Sequence, residues 1–263
     1  MPCGFAANGT LSQLFNPSRT VQVLADLPQA VQAILPRYGA TVCCAWSDAE
    51  KMVIPMPEPW IFDLDGTLAD SSEGILESLE MALNSCGYPI LVRDTNRLIG
   101  PNLPISVGIA NPNLGTDAIT RVVEAYRSHY NLTGHKKSKL YPGAVEALTR
   151  LAKAKHPIYI LTNKIQKAAD IIARHLGLDQ LVDHIYGQDA SEQPKPDRLM
   201  AIVRKHGLKE GVLVGDGLDD HAAARQANFR FLLAMWGYGT SVVLQEHGPV
   251  AGLNGLEEIA GLL

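Results

Sequence analysis

Cysteine is scarce in this chain, positive charge is not in excess, and no long apolar run occurs. The four cysteines, Cys3, Cys43, Cys44 and Cys86, form no C-x-x-C pair and no zinc-ligand spacing. That argues against a disulfide scaffold or a zinc module and for reduced thiols in the cytoplasm. The eight histidines, His156, His175, His184, His206 and His221 among them, also lack metal-ligand spacing. No stretch approaches the ~20 apolar residues of a membrane span, and the start lacks the basic and apolar segments of a signal peptide. No membrane partner and a cytoplasmic location are therefore expected, and the N-x-T triplets at Asn8 and Asn131 carry no weight. A formal charge of −4 over 263 residues speaks against nucleic acid as a partner.

What is present reads as an ordinary globule, 46% hydrophobic and 19% charged. A proline-rich stretch, Met52 to Pro59, is expected to be an extended linker. Before it, Thr20–Leu24 reads as a strand, Asp26 as the cap of a helix ending at Gly39, and Ala40–Trp46 as a second strand. Residues 1–58 thus form an expected β-α-β appendage. After Leu68 the text turns helical, with apolar stripes over 72–87 and 116–130 and no convincing strand between Leu91 and Leu140. From Tyr141 helices alternate with strands, the strands at 157–161, 184–186, 212–215 and 230–233. The pattern predicts an α/β fold, a doubly wound, Rossmann-like parallel sheet. Residues 59–71 and 139–263 would form its core and 72–138 an inserted helical cap beside the carboxyl ends of the strands.

Four polar clusters punctuate this alternation. Asp63-Leu64-Asp65-Gly66-Thr67 closes the first apolar run of the core. If the strand continued through it, Asp63 and Asp65 would leave on the same side. Crowded carboxylates call for a cation or a shared proton. Thr162-Asn163-Lys164 ends the next strand, Pro194-Lys195-Pro196 stiffens a loop, and Gly215-Asp216-Gly217-Leu218-Asp219-Asp220 ends another strand. Converging on one sheet edge, they would supply carboxylates, a hydroxyl, backbone N–H donors and a lysine, a set that suits phosphoryl transfer. Thr162 and Asp219 also stand where helix N-caps are expected. Arg93, Arg97 and the turn Ile99–Asn102 are the candidates for touching a substrate from the helical insertion.

In order and spacing these clusters resemble the four motifs of the haloacid dehalogenase superfamily, in its phosphoglycolate-phosphatase-like branch with a small helical cap. Tyr141-Pro142-Gly143 and Trp236-Gly237-Tyr238-Gly239 add to the resemblance, which covers roughly residues 59–263. It implies a phosphatase for a small phosphate ester. Asp63 would be the nucleophile, Asp65 the acid and base, and Lys195 the charge neutraliser. Thr162, Asn163 and Gly66 would hold phosphate. Mg2+ would sit on Asp63, the Asp65 carbonyl and Asp216, with Asp220 bracing the site. A phosphotransferase such as a sugar-phosphate mutase stays open, as does a regulatory protein acting through residues 1–58, by homo-oligomerisation or a protein partner.

Overall fold

A computed structural model describes residues 57–189 and 193–263. The expected strands and helix of residues 1–56 lie outside the described residues. The core strands are β1 (Trp60–Phe62), β4 (Ile158–Ile165), β5 (His184–Gln188), β6 (Val212–Gly215), β7 (Arg230–Ala234) and β8 (Gly252–Leu253). They form one parallel sheet in the order β5-β4-β1-β6-β7-β8. Two more, β2 (Ala69–Asp70) and β3 (Lys139–Leu140), pair antiparallel where the chain leaves and re-enters the core. No strand was expected at β3, because two residues carry no periodicity and only the partner fixes them.

Side-chain alternation covers both faces of the sheet. Trp60, Phe62, Ile158, Ile160, Val212 and Val214 pack on one side with helices α5 (Ala144–Lys153) and α6 (Gln166–Leu176). Ile61, Tyr159, Leu161 and Leu213 pack on the other with α7 (Lys195–His206) and α8 (Leu218–Ala227). Strands buried on both faces explain the near-continuous apolar runs in the sequence. Phe62 registers with Ile160 and Val214, so Asp63 and Asp216 emerge at the same edge. A further helix, α9 (Thr240–His247), and a 3-10 turn at Leu256–Gly261 close the fold.

Residues 72–137 contribute α1 (Ser72–Ser85), α2 (Thr95–Leu98), α3 (Leu103–Ala110), α4 (Thr116–Leu132) and a 3-10 turn at Gly134–Lys137. They enclose their own apolar cluster, with Leu79, Leu83, Leu98, Val107, Val122 and Tyr130 at its centre. The stretch 100–115 reads as broken text, yet α3 forms, because Pro104 falls in its first turn, where no N–H is missed. Gly74 of α1 presses against Gly134, and a Cβ there would lie 2.0 Å from the Gly134 carbonyl oxygen. Among the described residues no helix is long and apolar enough to cross a membrane.

Two substitutions test this packing by urea denaturation. Gly74→Ala is expected to cost about 1–3 kcal/mol, because a backbone carbonyl must move. Gly108→Ala, within α3 and with its nearest neighbour 3.9 Å away, is expected to gain about 0.5–1 kcal/mol. Equal effects would contradict the close approach of α1 to the 134 turn.

Candidate active site

The site is built where β1, β4 and β6 end. Asp63 donates its N–H to Val214 O at 2.9 Å, which fixes it at the sheet edge. The chain then leaves the strand: Leu64 O accepts N–H groups from Thr67, Leu68 and Ala69, and Gly66 turns with φ +85°. The strand does not continue through both acids, because β1 stops at Phe62; the two carboxyls line the same cavity but take different partners. Asp63 faces Lys195, whereas Asp65 accepts from the Ser71 hydroxyl and from Lys164 Nζ, the latter at 2.7 Å.

Lys195, the first residue of α7, is 3% exposed and reaches both Asp63 Oδ1 and Asp220 Oδ1 at 2.7 Å. Asp220 also accepts the Gly217 N–H at 3.0 Å, so it caps α8, the role expected of Asp219. Asp219 instead accepts from Asn163 Nδ2 at 2.9 Å. Asp216 accepts the Gly239 N–H at 2.9 Å. Its packing tolerates no side chain at Gly66 or Gly237, where a Cβ would come within 2.5 Å and 2.1 Å of Asp216 atoms. Oxygens of Asp63, Asp216 and Asp220 all lie within 4.8 Å of one another.

Burial pushes the Asp63 carboxyl well above the usual carboxylate range; Lys195 opposes this, while Asp220 and Asp216 reinforce it. Burial and the charge of Asp220 push Asp216 up to about 7 from 3.8, against the Gly239 N–H. Burial works against a charged Lys195, yet Asp220 and Asp63 outweigh it and raise its pKa. Lys164 behaves alike: burial opposes its charge, and Asp65 with Tyr130 and Tyr126 overcomes it. Both lysines are thus held charged, while Asp63 and Asp216 favour their protonated forms more than a solvated carboxylate does.

Thr162 does not cap α6. The helix starts at Gln166 with Ile165 at its N-cap, because β4 runs on through Ile165 after a bulge. Thr162 is 1% exposed, and its hydroxyl accepts the Lys164 N–H at 3.2 Å, which leaves its proton for a ligand. The Asn163 carboxamide is committed: it donates to Gly100 O at 3.0 Å and to Asp219, and accepts from Arg198 at 2.6 Å. Arg198 also donates to Thr162 O at 2.8 Å.

Above these strand ends lies a cavity of about 570 Å³ whose lining includes Asp63, Asp65, Thr162, Lys164, Tyr126 and Tyr130. Of the insertion candidates, the turn Ile99–Asn102 lines it. Arg93 and Arg97 do not; Arg93 is exposed and pairs with Glu80 at 2.5 Å. Sequence reasoning gave no role to Lys164 or Arg198. Lys164 adjoins Thr162 and Asn163, and Arg198 lies one helical turn after Lys195, where side chains share a face. Trp236 and Tyr238 pack the loop, donating to Thr67 O and Asp70.

Comparison with known proteins agrees with this arrangement. Residues 60–234 match the family described as haloacid dehalogenase-like hydrolase. The chain belongs to that family. It is 34% identical over 190 residues to a phosphoglycolate phosphatase of Vibrio vulnificus, covering 67% of this chain and 83% of that protein. A tyrosine-protein kinase of Mycobacterium tuberculosis is 35% identical over 188 residues, 70% of this chain and 64% of that one. A haloacid dehalogenase-like hydrolase from Streptococcus pneumoniae superimposes with a TM-score of 0.71 at 28% identity, covering 79% and 98% of the two chains. Within the haloacid dehalogenase-like hydrolases this chain is phosphoglycolate-phosphatase-like, a phosphoric monoester hydrolase.

The raised carboxyls have a signed consequence. Asp216, at about 7 when folded against 3.8, binds a proton that the unfolded chain has already released. Stability in chelator therefore falls as pH rises from about 4 to 7. Asp216→Asn is expected to shrink the drop in melting temperature between pH 5 and pH 7.5. An unchanged drop would contradict the raised carboxyl.

Proposed function

We propose that this hydrolase cleaves a small phosphomonoester with Mg2+, through an aspartyl-phosphate on Asp63. The observation that carries the reading is the buried bridge of Lys195 to Asp63 and Asp220, beside Asp216 and under the cavity. Lys195 opposes the burial that favours a protonated Asp63 and aims the carboxyl, so that once ionised its oxygen can attack phosphorus. Asp65, on the insertion side of the same cavity, gives a proton to the leaving oxygen and later takes one from water. The Thr162 hydroxyl and the turn at Gly66 hold phosphate oxygens. With its side chain occupied, Asn163 contributes through its backbone N–H.

The oxygen cluster fits magnesium, a hard cation that binds few carboxylates and keeps waters. Asp63, the Asp65 backbone carbonyl and Asp216 would hold it, with Asp220 bracing Lys195. Bound there, the ion neutralises charge on the phosphoryl oxygens. We assign residues 59–71 and 139–263 as the catalytic core and 72–138 as a cap that excludes water and selects the leaving group. Residues 1–58 are assigned to oligomerisation or partner docking. Deleting them is expected to change the sedimentation behaviour and leave turnover intact, and lost solubility would contradict the assignment.

Asp63→Asn is expected to lower release of phosphate from an aryl ester by roughly 10⁴-fold or more, with the fold kept by circular dichroism. Substantial residual turnover would remove Asp63 as nucleophile. Asp65→Asn is expected to cost about 10²–10⁴-fold on alkyl esters and far less on 4-nitrophenyl phosphate, whose leaving group needs no proton. Equal losses would count against proton transfer by Asp65. The likeness to a relative named as a kinase favours phosphoryl transfer as a second reading. Comparing phosphate release with transfer to an added acceptor separates water from other acceptors.

A further inference from the structure

Arg127 of α4 lines the cavity. Among the described residues it has no hydrogen bond and no ion pair, and its Nε is shut off from solvent without an acceptor. The two Nη groups, also unbonded, are not among the shielded atoms, so they stay open on a side chain that lines the cavity. A half-buried guanidinium without an acceptor is costly unless an anion arrives, and its fork suits a carboxylate or a phosphate.

Lys164 Nζ is 2.7 Å from Asp65 and 4.7 Å from the centre of the Tyr130 ring. Arg127 lies three residues before Tyr130 on α4, on the same helix face and about one turn, roughly 5 Å, from it along the axis. Arg127 thus stands about one helical turn from the residue whose ring packs on Lys164. A two-carbon leaving group spans only two or three bonds of about 1.5 Å each. The cavity, at about 570 Å³, is in the range that encloses ligands well above that size. Lys164 is no substitute reader of such a group, because Asp65 already occupies it.

We infer that Arg127 is the specificity-determining residue of the site. It selects phosphate monoesters whose leaving group ends in a second anion, a carboxylate or phosphate, several bonds from the scissile oxygen. This rests on the phosphatase reading above. During turnover the P–O bond breaks as proposed there, and Arg127 binds the far end of the leaving group without exchanging a proton.

A homologous series tests it: ω-carboxyalkyl phosphates from two to six carbons, α,ω-alkanediol bisphosphates, and neutral alkyl phosphates of equal length. The protein is expected to favour the longer anionic esters over neutral ones by roughly tenfold or more in kcat/KM, through KM. The carboxylate and bisphosphate arms show which anion it prefers. Arg127→Gln should abolish the preference and Arg127→Lys should restore part of it. Three results would overturn the inference: a preference that survives Arg127→Gln, a uniform loss on all esters, or dependence on Arg127 for phosphoglycolate alone. Failure on every ester, 4-nitrophenyl phosphate included, would instead remove the phosphatase reading. Calorimetry with butane-1,4-diol bisphosphate on the Asp63→Asn protein then decides separately. Binding weakened tenfold by Arg127→Gln supports the inference, and unchanged binding overturns it.

Discussion

One buried ammonium group organises this molecule. Lys195 touches Asp63 and Asp220 at 2.7 Å each, and Asp216 stands close enough to share a ligand sphere with both. Three carboxylates against one lysine leave net negative charge in a place with little water, and burial raises both Asp63 and Asp216. Such a cluster is a poor way to stabilise a fold. It suits a cation and a phosphoryl group that complete it. The architecture answers that constraint: β1 and β6 deliver the acids side by side, α7 starts at Lys195, and α8 starts with Asp220 closing its first turn.

The helical insertion joins this centre through a few polar threads. Asn163 ties the end of β4 to Gly100 in the insertion and to Asp219 at the start of α8. Lys164 links Asp65 to the ring of Tyr130, while Arg198 pins Thr162 and Asn163 from below. Movement of the insertion would therefore reach Asp65 and the end of β4 together. The centre and the selecting surface are different structures, but they share these side chains.

Much of this was legible in the sequence, for physical reasons. Strands buried on both faces print apolar runs, so β1, β4, β6 and β7 showed at once. Acids and glycines at their ends marked the site, and the left-handed Asn228 (φ 55°) ended α8 as asparagine is able to. Tertiary contacts decided the rest. β2 and β3 exist only as a pair, β4 outruns its apolar text by four residues because of a bulge, and the loop after Phe62 gave Asp63 and Asp65 different partners. Arg127 carried no signal, since a lone arginine between two tyrosines reads as a solvated turn of helix. Its lack of a counter-ion among the described residues, visible in three dimensions, marks it.

The central claim is that Asp63 carries the phosphoryl group between ester and water. The stereochemistry at phosphorus tests it most directly, using an ester made chiral with oxygen isotopes and hydrolysed in labelled water. Two successive in-line displacements, first on Asp63 and then by water, predict net retention of configuration. Inversion would mean a single direct attack by water and would contradict the account.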